Sequence, residues 1–421
     1  MKNQLLHTPD GVRDIYAEEC AKKLALQNKI QNVFHLYGYQ DIETPTFEFF
    51  DIFKKERGSV VSSEMYKFFD RDNNTLVLRP DMTPSIARCV AKYYMEETMP
   101  LRLCYLARTF LNGTSYQGRL KERTETGVEL LGDASSDADA EMIAMVIDAL
   151  KASGLREFQV ELGQVEFYRG LVEESGMDEE TCEQLKELVE NKNYFGVETL
   201  LSRQELKPEL KQAFLRLPEL FGEIGQIRLA KSMTANERAL KAIERLEHIQ
   251  KILDSYGVGD YVSYDLSMLS KYTYYTGIIF KAYTYGTGEY IVTGGRYDKL
   301  LVQFGKEAAA VGFALVVDRL LMALSRQNID IPAELVHTII LYRQQDRQPA
   351  IRLARHFRDS RIAVRLIRKP SEKTIEDYVA YAERHHIRNL LYLTEDGTRV
   401  QVLDTESNTR EVKNYTDYFN K

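Results

Sequence analysis

Polar turns set between short strand-like segments constrain this chain more than any other feature. Asp72-Asn73-Asn74 separates residues 66–70 from 75–79, and Gly286-Thr287-Gly288 separates 277–285 from 289–293. Both read as hairpins. Strands joined in this way run antiparallel, so the larger part of the chain should carry a mainly antiparallel sheet. Further strand candidates lie at 40–44, 101–110, 120–131 and 260–265. Between them, 21–37 reads as an amphipathic helix with Leu24, Ile30, Val33, Phe34 and Tyr37 on one side and Gly38 as its stop. Thr83 followed by Pro84 predicts an N-cap and a helix to about residue 94. Helices are also expected at 137–153, closed by Gly154, and at 315–324.

Two shifts in pattern divide the chain. Residues 170–257 are almost purely helical in pattern and rich in Glu and Lys, which suggests an inserted helical region. Around Asn328-Ile329-Asp330-Ile331-Pro332 the pattern changes to alternating strand and helix, at 338–342, 349–358, 363–367, 374–384 and 389–393. That alternation predicts a small α/β domain with a parallel sheet. The expected division is a core over 1–330 and a second domain over 331–421, consistent with 421 residues at roughly 150 per domain.

Composition excludes several classes. Hydrophobic residues at 44% and charged residues at 28% are an ordinary globular balance, which rules out wholesale disorder. The apolar run 308–317 stops at Asp318 and is too short to span a bilayer, and the amino terminus shows no apolar signal segment. A soluble, cytoplasmic protein without membrane partners is expected. Cys20, Cys89, Cys104 and Cys182 share no C-x-x-C spacing, and the histidines show no ligand pattern, so neither disulfides, a metal nor a cofactor is expected.

The net charge of −7 argues against non-specific coating of nucleic acid. Residues 343–369 hold eight arginines and one lysine against Asp346 and Asp359, a local +7 that leaves −14 for the rest. Such a stripe could follow a phosphate backbone. The simpler reading makes Arg352, Arg355 and Arg358 the solvated face of a helix that buries Ile351, Ala354 and Phe357. No aromatic-rich base-stacking surface accompanies the charge, so nucleic acid is not expected as a partner.

Three tracts combine glycine, aromatics and charge on strands. They are Leu78-Arg79-Pro80-Asp81-Met82-Thr83-Pro84, then residues 118–132 with Glu125 and Glu129, and Tyr274-Tyr275-Thr276-Gly277 with Gly294-Gly295-Arg296-Tyr297-Asp298. Carboxylates and tyrosines on one sheet face could hold a small zwitterion, the acids meeting its ammonium. Each tract also has a plainer reading. Thr83 is a helix cap, Gly294-Gly295 marks a strand end, and Glu129 is the solvent side of an alternating strand.

Taken in order, these tracts resemble the catalytic core of a class II aminoacyl-tRNA synthetase of the histidyl type, over residues 8–324. The resemblance implies an α+β fold: an antiparallel sheet flanked by helices, with the helical insertion and a small C-terminal α/β domain. Pro45 falls where motif 1 places its proline, and Gly312 to Arg319 fall where motif 3 lies. The departures concern chemistry. Leu111 stands where the ligases carry the motif 2 arginine, Gly113 where a glutamate is expected, and Ser270 where an arginine precedes the tyrosine tract. Amino-acid activation needs cationic donors at the α-phosphate of ATP, and losing one such donor costs about 10²–10³ in rate in comparable sites.

What remains is similar to the regulatory subunit family of ATP phosphoribosyltransferase. The opening Thr8-Pro9-Asp10-Gly11-Val12-Arg13-Asp14, the phrase Leu217-Pro218-Glu219-Leu220-Phe221-Gly222 and Tyr274 to Phe280 resemble that family. The resemblance implies a protein without catalysis of its own. Its partner would be a short-form catalytic subunit, with L-histidine as feedback effector in the first step of histidine biosynthesis. A homodimer within a larger hetero-oligomer is implied. By the same resemblance Asp81, Thr83, Glu125 and Glu129 would hold the ammonium or imidazole of histidine, Tyr274 and Tyr275 would form its aromatic wall, and Arg119 would lie in the pocket. Glu125 departs from both families, which usually carry glutamine there. The rival is an active histidine–tRNA ligase, which the C-terminal domain would serve by binding the anticodon.

Overall fold

The structure is a computed structural model that describes residues 4–54, 60–113, 120–269, 274–333, 336–394 and 397–419. It divides into two compact units, Met1–Pro332 and Ala333–Lys421.

The larger unit is built on a nine-stranded sheet. Its order is Gln40–Asp41, Leu101–Phe110, Glu122–Leu131, Ala310–Val316, Val292–Arg296, Ile278–Thr284, Phe158–Gln164, Val262–Asp265 and Phe221–Gly222. From Leu101–Phe110 to Phe158–Gln164 every neighbouring pair is antiparallel. Towards the edges, Gln40–Asp41 lies parallel to Leu101–Phe110, and Phe158–Gln164 parallel to Val262–Asp265. Parallel neighbours need a crossover connection. The helical insertion is that crossover: it leaves the sheet after Gln164, runs through helices from Val165–Ser175 to Glu237–Tyr256, and returns at Val262. It is not purely helical, because Phe221–Gly222 adds the last strand.

Two-residue alternation sorts side chains between the two faces of this sheet. Cys104, Val128, Leu130, Phe280, Val311, Phe313 and Leu315 enter the main core, against the helices Ala17–Leu36, Ser136–Ala152 and Glu237–Tyr256. Leu103, Tyr105, Leu131, Ile279 and Ala310 face the other way, against Met82, Ile86 and Val90 of the region around helix Thr83–Tyr93. A buried ion pair fastens the core side: Asp139 meets Arg296 at 2.7 Å and Arg245 at 2.5 Å, joining two helices to one strand. A separate three-stranded sheet, in the order Phe47–Phe49, Thr75–Leu78, Lys67–Phe69, contains the Asp72–Asn74 hairpin.

Local signals locate most elements to within a few residues. Helix Ala17–Leu36 ends at Gly38, whose φ of +82° turns the chain. Four differences matter. The strand Phe158–Gln164 carries no strong signal of its own, since Gly163 and the half-buried Glu161 interrupt it. The second Gly-rich strand is Val292–Arg296 rather than 289–293, so Gly294-Gly295 lies within a strand and not at its end. The apolar run is the strand Ala310–Val316, and the helix starts at Val317. Thr83 is the first residue of its helix, and Met82 is the cap position, without a side-chain cap.

The smaller unit has a five-stranded sheet in the order Val364–Arg368, Thr338–Tyr342, Asn389–Leu393, Arg399–Asp404, Thr409–Asn414. The first three are parallel, as the alternating pattern predicts, and the last two are antiparallel. Thr374 caps Ile375–Arg384 in a capping box with Asp377. Helix Arg347–Asp359 buries Ala350, Leu353 and Ala354, with Phe357 packed beside them, while Ile351 is 41% exposed. Ala354 and Phe357 are thus on the buried side, as the sequence reading has them, while Ile351 is not, and Ala350 and Leu353 complete the stripe. The buried stripe follows i, i+3, i+4, i+7 from Ala350 to Phe357.

Candidate functional site

The strand Glu122–Leu131 turns Glu125, Gly127 and Glu129 to the face opposite the main core. Glu129 is not on a solvent face: it is 1% exposed. Its Oε1 accepts a hydrogen bond from Thr83 Oγ1 at 2.7 Å, and its Oε2 accepts a close one from the Tyr297 hydroxyl. The hydroxyl of Thr83 is therefore spent on the buried carboxylate. The helix start is served instead by Asp81, whose Oδ1 accepts from Thr83 N at 3.2 Å. Asp81 Oδ2 accepts from the Tyr274 hydroxyl at 3.3 Å. Tyr274 meets Tyr275 edge-on with ring centroids 4.9 Å apart, and Tyr297 at 6.0 Å.

Glycines make this packing possible. A Cβ on Gly312 would lie 1.8 Å from Glu129 Oε2, and one on Gly295 would lie 2.8 Å from the Tyr275 ring. Gly127 pairs with Tyr105, and a Cβ there would lie 2.6 Å from the Tyr105 hydroxyl. The glycines leave room for an acid and two tyrosines to lie directly on the sheet.

Burial pushes the Glu129 carboxyl up to about 8; the hydrogen bonds from Tyr297 and Thr83 pull it down, and the charge of Asp81 raises it. Burial also raises Glu125, against the pull of Arg123, whose Nη2 lies 3.1 Å from Glu125 Oε1. Tyr105, Tyr275 and Tyr297 are held well above the ordinary tyrosine range, first by burial and then by the neighbouring acids. A site with two closely placed carboxyls and an aromatic wall suits a small cation-bearing ligand.

Of the residues singled out in the sequence, Asp81, Thr83, Glu129, Tyr274 and Tyr275 come together. Glu125 shares their sheet face but is engaged with Arg123. Arg119 and Ser270 lie outside the described residues. Sequence reasoning missed Tyr297 and Tyr105 as members. Tyr297 was within a quoted tract, and its signal was the phenol beside an arginine that turns away: Arg296 pairs with Asp139, on the other face. Tyr105 stands between Cys104 and Leu106 in the strand Leu101–Phe110, and its immediate neighbours give no polar signal. Arg319 forms an ion pair with Glu289, donates to the Tyr290 carbonyl at 2.8 Å and lies 4.8 Å from the Tyr290 ring. Leu111 donates its backbone N–H to the Lys121 carbonyl at 2.8 Å, extending the pairing of Phe110 with Glu122.

Residues 11–320 match the sequence model of the histidyl-tRNA synthetase family. The ATP phosphoribosyltransferase regulatory subunit of Acetivibrio thermocellus is 40% identical over 376 residues, 89% of this chain and 90% of that protein. The protein of that name from Ruminiclostridium cellulolyticum is 39% identical over 422 residues, 100% of both chains. A solved structure from Bacillus halodurans, described as an ATP phosphoribosyltransferase regulatory subunit/histidyl-tRNA synthetase, superposes with a TM-score of 0.84 at 32% identity, covering 92% of this chain and 98% of that one. Histidyl-tRNA synthetase from Nostoc, at 19% identity and a TM-score of 0.82 over 98% of each chain, shares the fold. On these matches and on its sheet, the chain belongs to the ATP phosphoribosyltransferase regulatory subunit family, which has the class II fold of histidyl-tRNA synthetase.

Proposed function

We propose that this chain is a non-catalytic regulatory subunit of an ATP phosphoribosyltransferase, and that its pocket binds L-histidine as feedback effector. In this reading it is cytoplasmic and serves the first step of histidine biosynthesis, the joining of ATP to phosphoribosyl pyrophosphate. It acts as a homodimer assembled with a short catalytic subunit. The observation that carries the reading is the cluster of Asp81, Thr83, Glu129 and Tyr274, linked by hydrogen bonds of 2.7 to 3.3 Å on a buried sheet face. An ammonium entering beside Asp81 and Glu129 would favour the charged carboxylate and draw its proton out. Tyr274 and Tyr275 would flank the ligand, with the imidazole against their rings.

The same features disfavour adenylation. Leu111 and Ser270 replace cationic donors, and Arg319 is neutralised by Glu289. Among the described residues no helix is long and apolar enough to cross a membrane, which accords with a cytoplasmic assembly. Feedback then requires that histidine bind one state of the assembly more tightly than another.

The test mixes the purified chain with the short catalytic subunit and follows phosphoribosyl-ATP formation. The expected result is activity that depends on the chain and falls with histidine. In Glu129→Ala the activation should survive while the inhibition weakens. Catalysis indifferent to the chain, or histidine-dependent pyrophosphate exchange at ordinary ligase rates, would overturn the proposal.

A further inference from the structure

On the other face of the main sheet, three donor side chains meet that the sequence keeps apart. His35 lies in the last turn of the helix Ala17–Leu36, and the chain then reverses: Gly38 N donates to the His35 carbonyl at 2.9 Å and Tyr39 N to the Phe34 carbonyl at 3.1 Å. It re-enters the sheet as Gln40–Asp41, which pairs Asp41 with Cys104, and Ile42 N donates to the Cys104 carbonyl at 2.8 Å. Asp41 thus stands between the other two. Its Oδ2 lies 3.1 Å from His35 Nε2 and its Oδ1 3.5 Å from Cys104 Sγ. All three donor atoms lie within 4.8 Å of one another, and among the described residues this is the one such convergence of His, Cys and carboxylate groups.

We propose that His35 Nε2, the Asp41 carboxylate and Cys104 Sγ form a binding site for a zinc-class divalent ion, with water in the fourth position. The donor set carries the assignment. A thiolate, an imidazole and a carboxylate suit a borderline-soft ion, whereas magnesium and calcium take oxygen donors. Tetrahedral sites with metal–ligand bonds of roughly 2.0–2.3 Å hold their donors roughly 3.3–3.8 Å apart, so the observed spread needs only a small closure. The exposed side chains of His35 and Asp41 can supply it, because Cys104 is fully buried and its strand is paired on both sides. On binding, a metal–sulfur bond forms as the thiol proton leaves to solvent. The ion would clamp the end of a long helix to the sheet edge.

The test uses the full-length chain, stripped with a chelator and titrated with Co²⁺. The expected result is thiolate-to-cobalt charge-transfer absorption that saturates at one equivalent and bleaches on adding Zn²⁺. Cys104→Ser should abolish the band. Asp41→Asn and His35→Gln, both at exposed positions, should weaken Co²⁺ binding by roughly ten-fold or more, at least the loss seen when outer partners of metal ligands are removed. These two variants decide the matter if Cys104→Ser does not fold. Absence of the band, its persistence in Cys104→Ser, or unchanged affinity in both Asp41→Asn and His35→Gln would leave a hydrogen-bonded trio only and overturn the site.

Discussion

The Glu129 carboxyl titrates at about 8 rather than its ordinary 4.5, because burial disfavours its charge more than Tyr297 and Thr83 support it. The sign of the consequence follows from proton binding. Below 4.5 the folded and unfolded chains both hold this proton. Between 4.5 and about 8 only the folded chain does, so this group withdraws stability as the pH rises, and the loss is complete above about 8. Glu129→Gln keeps an acceptor for Tyr297 and removes the titration. In thermal melts of the ligand-free protein, the fall in Tm between pH 5.5 and 8.5 should shrink by roughly a few degrees in this variant. An unchanged pH profile would mean that the carboxyl is already charged in the folded chain.

Strand Ala310–Val316 shows how an element can be committed to one side chain of its neighbour. Gly312 pairs with both Glu129 and Gly295, so the backbone is held from both sides. An added methyl would meet Glu129 Oε2 at 1.8 Å and the Val128 carbonyl at 2.4 Å. Gly312→Ala should therefore destabilise the chain by about 1–3 kcal/mol in denaturant unfolding, the ordinary cost of overpacking. It should also displace Glu129. Gly225, in the short helix Ile224–Arg228, has nothing within 4 Å of its added Cβ. Gly225→Ala should be neutral or stabilising by about 0.5–1 kcal/mol. No loss at Gly312 would show that the steric conflict there relaxes freely.

At the scale of the whole molecule, the two units each bury their own apolar clusters. The smaller one packs Ile340, Leu353 and Leu391 on one face of its sheet and Ile339, Tyr378 and Leu390 on the other. A chain ending at Pro332 is therefore expected to retain a cooperative unfolding transition and, in the proposed reading, histidine binding. Calorimetry on the truncated protein checks both. Loss of the transition would show that residues 333–421 are required for the larger unit to fold.

By itself the sequence determined the class of fold and the order of its functional tracts. Strand periodicity, the Asp72–Asn74 hairpin and the stop at Gly38 are local signals, set by backbone preferences over a few residues, and they were legible. So were Asp81, Thr83, Glu129, Tyr274 and Tyr275 as candidates, through the tracts that carry them. The tertiary structure decided what depends on pairing between distant segments. The partners of Glu129 are 46 and 168 residues away in the chain, so no local window contains them. Register is a decision of the whole sheet: it made Phe158–Gln164 an interior strand, placed Tyr105 over Gly127, and set Asp41 beside Cys104. The fate of Thr83 turned on the same point. An N-cap and a donor to a buried acid look alike in sequence, and the choice between them is made by the cost of leaving the buried Glu129 carboxyl without partners.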